Sequence, residues 1–136
     1  MNEAKRQLVQ NWLTKAQHDL ASARVLAASS PPLLDTAIYH CQQAAEKSVK
    51  GFLVFHDREF ERVHDVEVLI QSAVPYEAGF SAWIDVGRLL TPYARIFRYP
   101  GNIAEPSREQ FTQAMSDAGG LYNFAISLLP EDVQPE

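Results

Sequence analysis

Apolar residues in this chain return at every third or fourth position, and prolines cut that rhythm into separate pieces. A period of three to four puts one face of a helix against a core, whereas strands need alternation at every second position. Leu8, Trp12, Ala16, Leu20, Ala23 and Ala27 mark a long helix from about residue 3 to 28, which Pro31 and Pro32 cannot continue. Ile38, Cys41, Ala45, Val49 and Phe52 mark a second, from about 34 to 56. Asp65 is placed to cap a short third helix with Val66, Leu69, Ile70 and Ala73 inward, stopped near Pro75. A fourth begins around Ala78 to Phe80 and carries Trp83, Val86, Leu90 and Tyr93, with Pro92 predicting a kink or a break. Pro100-Gly101 stops the chain, and Ser107 with Gln110 forms a capping-box pattern that opens the last helix. That helix shows Phe111, Ala114, Ala118, Leu121, Ala125 and Leu128 before Pro130. The expectation is an all-α antiparallel bundle of about five helices, a four-helix up-down core with one short extra helix. Residues 1–130 form one domain, and the tail at 131–136 is expected to be disordered.

Composition removes several function classes. At 136 residues the chain can bury a single core, and no apolar run approaches the ~20 residues of a membrane span. The first ten residues are polar and charged, so a cytoplasmic protein is expected. Cys41 is the only cysteine, lies on the apolar side of its helix and reads as a packed thiol. One cysteine and four scattered histidines give no metal-ligand spacing, so neither a metal nor a cofactor is expected. A net charge of −5 weighs against a basic surface wrapping duplex DNA. A local cluster is still open, because Arg88, Arg95 and Arg98 can share one flank of a helix.

The second helix carries an ordered polar pattern. Gln42, Glu46 and Lys50 stack at four-residue steps, with Gln43 and Lys47 in a parallel row. Two readings fit: a solvated face, or a polar platform that something binds. Asp19 sits mid-helix on the Leu20 side, where an unpaired carboxylate is costly, and Lys47 and Arg98 are the candidate cations, giving an Asp19–Lys47 structural pair. Arg98 offers the planar fork that phosphate recognition calls for, and it also suits a helix end. His64 reads as a loop-to-helix packing residue or a ligand contact, and His18 and His40 as surface or satisfied histidines. Gly119-Gly120 inside the last helix costs roughly 2 kcal/mol against two alanines, which predicts a close neighbour there. Phe80, Trp83, Ile84 and the Phe97–Tyr99 pair exceed what one helix side buries, which predicts a homodimer.

Four segments, in order, resemble one family. They are Trp12-x3-Ala16-x2-Asp19-Leu20-x2-Ala23, Tyr39-x2-Gln42-Gln43-Ala44-Ala45-Glu46-Lys47-x2-Lys50, His64-Asp65, and Tyr93-x4-Arg98-Tyr99-Pro100. Together they resemble the HEPN domain (higher eukaryotes and prokaryotes nucleotide-binding), of the type associated with minimal nucleotidyltransferases. The resemblance implies a bundle of about five helices, usually a homodimer, often encoded beside a minimal nucleotidyltransferase and sometimes acting with it as a toxin–antitoxin pair. It also implies a nucleotide-binding role, and the residues expected to bind a nucleotide or short RNA are Gln43, Glu46, Lys47, Lys50, His64, Arg95, Arg98 and Tyr99.

Many branches of that family are metal-independent ribonucleases built on Arg-x4–6-His. Here Arg98 can stand for the arginine, but Ile103, Ala104 and Glu105 occupy the positions of the histidine, with Val66 replacing the leucine of the family's His-Asp-Leu step. Arg58-x5-His64 satisfies the spacing but lies in the loop before the third helix. With no histidine to move the proton of a 2′-hydroxyl, the expectation leans to a binding and interaction subunit over an enzyme. A metal-independent ribonuclease with a divergent site is the alternative.

Overall fold

The computed structural model describes residues 1–101 and 104–136. Its helices are α1 (Glu3–Ala28), α2 (Leu34–Phe55), α3 (Val66–Ala73), α4 (Ile84–Leu90) and α5 (Arg108–Ser127), and no strand occurs among the described residues. The all-α expectation holds. Local chemistry sets most boundaries. The Asn2 side chain accepts from Lys5 N at 2.8 Å to start α1, and Asp65 accepts from Val68 N at 3.0 Å to start α3. Ser107 and Gln110 exchange both bonds of a capping box at the start of α5.

The long helices α1 and α2 form the most extensive pairing, and α2 also packs against α5 and α3. Small residues let the backbones approach. Ala16, Ala23 and Ala27 of α1 and Ala37, Ala44, Ala45 and Ser48 of α2 are buried, and a Cβ on Gly51 would lie 3.1 Å from Leu13 Cδ2. Fourteen of the 22 residues of α2 are buried, so this helix has no broad solvent face. That single fact governs the site.

The fourth helix departs from its expected form. Residues Ala78–Trp83 are a 3-10 helix, α4 spans only Ile84–Leu90, and a second 3-10 turn covers Thr91–Ala94. Pro92 has no N–H to give to the carbonyl of Arg88, so the α-helix ends where the ring enters. Thr91 ties the break to α3: its Oγ1 accepts from Val66 N at 3.0 Å and donates to the Gly87 carbonyl at 2.7 Å. At Gly87, α4 touches α3 so closely that a Cβ would stand 2.9 Å from Glu67 Cα.

Three other expectations are corrected. The tail at 131–136 is docked: Glu131–Val133 is a 3-10 turn, Val133 is fully buried, Asp132 accepts from Arg6 at 2.8 Å, and the Gln134 amide donates to the carbonyls of Ile126 and Leu129. Of the two glycines in α5 only Gly120 meets a neighbour, Trp83, whose ring a Cβ would approach to 2.9 Å; Gly119 faces open space. Only part of the aromatic surplus is absorbed within the protomer: Phe80 is fully buried and both Phe80 and Trp83 pack on Phe124, whereas Tyr99 stays exposed. No helix among the described residues is long and apolar enough to cross a membrane.

Candidate functional site

The polar row of α2 is neither a solvated face nor an open platform. Gln42, Gln43, Glu46 and Lys50 are only 0%, 8%, 3% and 6% exposed. Buried charges persist only when paired and hydrogen-bonded, and these are. Lys50 Nζ donates to Glu46 Oε2 at 3.0 Å, and the Gln42 amide and His64 Nδ1 reach Glu46 Oε1 at 3.1 and 2.9 Å. Gln42 also donates to the His64 carbonyl at 2.9 Å, and Gln43 donates to Gln42 at 2.7 Å. The Lys50 ammonium sits 5.5 Å from the Trp12 ring and 5.3 Å from that of Phe60, which cover it from α1 and the 57–65 connection. Periodicity within α2 could not reveal this, because the cover comes from elsewhere in the chain.

A second network lies one turn earlier. Asp19, nearly buried on α1, accepts from Lys47 Nζ at 2.7 Å on Oδ2 and meets His40 Nδ1 at 2.8 Å on Oδ1. Sequence reasoning misses this imidazole partner. A signal for it exists: His40 precedes Lys47 by seven residues, two helical turns, so a carboxylate that reaches one passes the other. With Nδ1 against a carboxylate, the neutral ring carries its proton there and leaves the Nε2 lone pair free.

The three arginines do not act together. Arg88 is matched by Glu67 at 2.7 Å and Asp85 at 3.0 Å. Arg95 and Arg98 follow the Pro92 break in one turn, closed by Arg98 N donating to the Arg95 carbonyl at 3.0 Å. Among the described residues neither is ion-paired with a carboxylate. The Arg98 guanidinium stacks over Tyr39, 4.1 Å from its ring centre, and lies 5.9 Å from that of the exposed Tyr99.

Two clefts open beside this turn. One of about 250 Å³ is lined by Asp35, Thr36, Tyr39, His40, Phe97 and Arg98. The other, of about 440 Å³, includes His64, Asp65, Thr91 and Arg95. The predicted binding residues thus divide: Gln43, Glu46 and Lys50 are buried and hydrogen-bonded, half-buried Lys47 is paired with Asp19, Arg98 faces one cleft with Tyr39 and His40, His64 and Arg95 share the other, and exposed Tyr99 lines neither. Of the positions expected to carry the ribonuclease histidine, Ile103 lies outside the described residues, and Ala104 and Glu105 are exposed. Burial pushes the Cys41 thiol up to about 12, which removes thiolate chemistry at neutral pH. No cluster of three or more metal-ligating side chains occurs among the described residues.

Residues 9–129 match the family described as HEPN domain. The fold is similar to that of TT1696 from Thermus thermophilus, with 21% identity, 90% of this chain and 99% of that one covered, and a TM-score of 0.78. It is also similar to ST0689, an archaeal HEPN homologue, with 24% identity, coverage of 88% and 96%, and a TM-score of 0.68. None of the curated proteins matches the sequence. The family match spans nearly the whole bundle, including both networks of α2 and the Arg95–Arg98 turn, and the chain belongs to the HEPN domain family.

Proposed function

We propose that this chain is a binding and interaction subunit that takes a phosphate-bearing ligand, a nucleotide or short RNA, at the cleft under Arg98. One observation carries the reading: Arg98 has no carboxylate partner among the described residues, lies over the Tyr39 ring, and borders a cleft sized for a small polar group. A planar fork with free N–H donors is what a phosphate needs. Lys47 and Lys50 do not serve here, because Asp19 and Glu46 already match them. Titration of nucleotides and short RNA at two salt concentrations tests the reading. Binding weakens as salt rises, Arg98→Ala abolishes it, and Arg98→Lys restores only part. Binding that survives Arg98→Ala, or ignores salt, places the site elsewhere.

The subunit acts as a homodimer and pairs with a minimal nucleotidyltransferase, as its family resemblance implies. Exposed Leu89, Ile96 and Tyr99 supply apolar contact area near the site. Sedimentation of the protein alone, and co-purification with a nucleotidyltransferase encoded beside it, test the two associations. A monomer at tens of micromolar refutes the first.

A second reading, a metal-independent ribonuclease with a divergent site, rests on the Asp19–His40 pair beside Arg98. There His40 Nε2 takes the 2′-hydroxyl proton, the 2′-oxygen bonds to phosphorus, and the 5′-oxygen leaves and takes a proton from water. RNA cleavage that persists in EDTA and disappears with His40→Gln supports it; intact RNA refutes it.

A further inference from the structure

We infer that the Arg95 cleft is a second anion subsite, so that the protein takes a ligand carrying two phosphoryl groups separated by a nucleoside. This deepens, and rests on, the reading of the Arg98 cleft as a phosphate site. The observation is a repeated unit. In the Arg98 cleft, His40 Nδ1 is fixed by Asp19 Oδ1 at 2.8 Å, and Lys47 holds Asp19 Oδ2 at 2.7 Å. In the Arg95 cleft, His64 Nδ1 is fixed by Glu46 Oε1 at 2.9 Å, and Lys50 holds Glu46 Oε2 at 3.0 Å. Each unit is a lysine, a buried carboxylate and a histidine opening beside one arginine, and the two lysines sit three residues apart on α2.

The arginines come from a single turn, closed at 3.0 Å between Arg98 N and the Arg95 carbonyl. Such a turn holds their Cα atoms within about 7 Å, and their side chains part into different clefts. One turn therefore presents two guanidinium groups to two clefts. Each cleft also holds a carboxylate. Asp65 caps α3 and Asp35 lies in the first turn of α2, where the helix dipoles offset their charge. The His64 side chain is 71% exposed, so it reaches a ligand from the edge of the network. Because Arg95 and Arg98 line different clefts, the ligand inferred for both is one whose phosphates are set apart, as on the two sides of one ribose, rather than joined directly as in a nucleoside diphosphate.

The test compares adenosine 5′-monophosphate, 5′-diphosphate and 3′,5′-bisphosphate by calorimetry on the full chain. The bisphosphate binds at least about tenfold tighter than the monophosphate, about 1.4 kcal/mol, and the diphosphate shows no such gain. Arg95→Ala erases the gain. That variant folds, because Arg95 is exposed and makes no ion pair among the described residues. If the bisphosphate gains nothing, if the diphosphate gains equally, or if the gain survives Arg95→Ala, the second subsite is overturned while the Arg98 reading stands. If none of the three binds, both fall.

Discussion

Replacing Lys50 with methionine keeps an unbranched side chain while deleting the ammonium that faces Glu46 and the rings of Trp12 and Phe60. Glu46, only 4% exposed at its side chain, then loses the partner that stood 3.0 Å away. Stranding one member of a buried ion pair costs about 3–5 kcal/mol. Two donors stay in place, the Gln42 amide at 3.1 Å and His64 at 2.9 Å, which sets the expectation at the lower end, about 3 kcal/mol. Unfolding entropy of about 2.1 cal/mol/K per residue over 136 residues gives about 3.5 °C per kcal/mol, so the melting midpoint falls by about 10 °C. Urea unfolding followed by circular dichroism measures the loss, and a cycle with Glu46→Gln isolates the pair. The double variant loses less than the sum of the two single losses, with a coupling of about 2 kcal/mol, because no buried charge is then left alone. A Lys50→Met variant within about 0.5 kcal/mol of the parent, or strictly additive single effects, refutes the argument and means that water reaches the pair.

The two neighbouring glycines of α5 separate in sign. Gly119→Ala raises stability by about 1 kcal/mol through helix propensity, whereas Gly120→Ala falls at least about 1 kcal/mol below it, because its methyl group presses on Trp83; equal effects in urea titration refute the contact. Burial, then the nearby Lys5, lowers the pKa of His56 in the fold, while Asp57 opposes them. The unfolded chain therefore binds the proton more readily, and stability present above about pH 6.5 is lost as pH falls toward the folded value. His56→Gln flattens that part of the melting-versus-pH curve; an unchanged slope assigns it to other groups. Cys41 does not react with iodoacetamide at about pH 8 in the native protein and reacts on unfolding in urea, as mass spectrometry reads directly. Rapid native labelling contradicts its burial.

Local rules made much of the architecture legible. The three-to-four-residue stripe of α1, the Asp65 cap of α3 and the Ser107–Gln110 capping box are properties of neighbouring residues. They need no knowledge of the rest of the fold, and the sequence determined them alone. It also named the two cations within the chemistry of Asp19, since a buried carboxylate requires one. What chose Lys47, added His40 and left Arg98 free to stack on Tyr39 was the packing of α1 and the post-Pro92 turn onto α2. The same packing turned the row Gln42, Glu46, Lys50 from an apparent surface into an interior network, since burial depends on residues distant in the chain. Position alone suggests a frayed chain end, yet Val133 is fully buried where the last turn packs against α1. Helix periodicity is a local field that one segment carries by itself. The separation of Arg95 from Arg98 into two clefts is set by what surrounds a single turn, and only the tertiary structure supplies those surroundings.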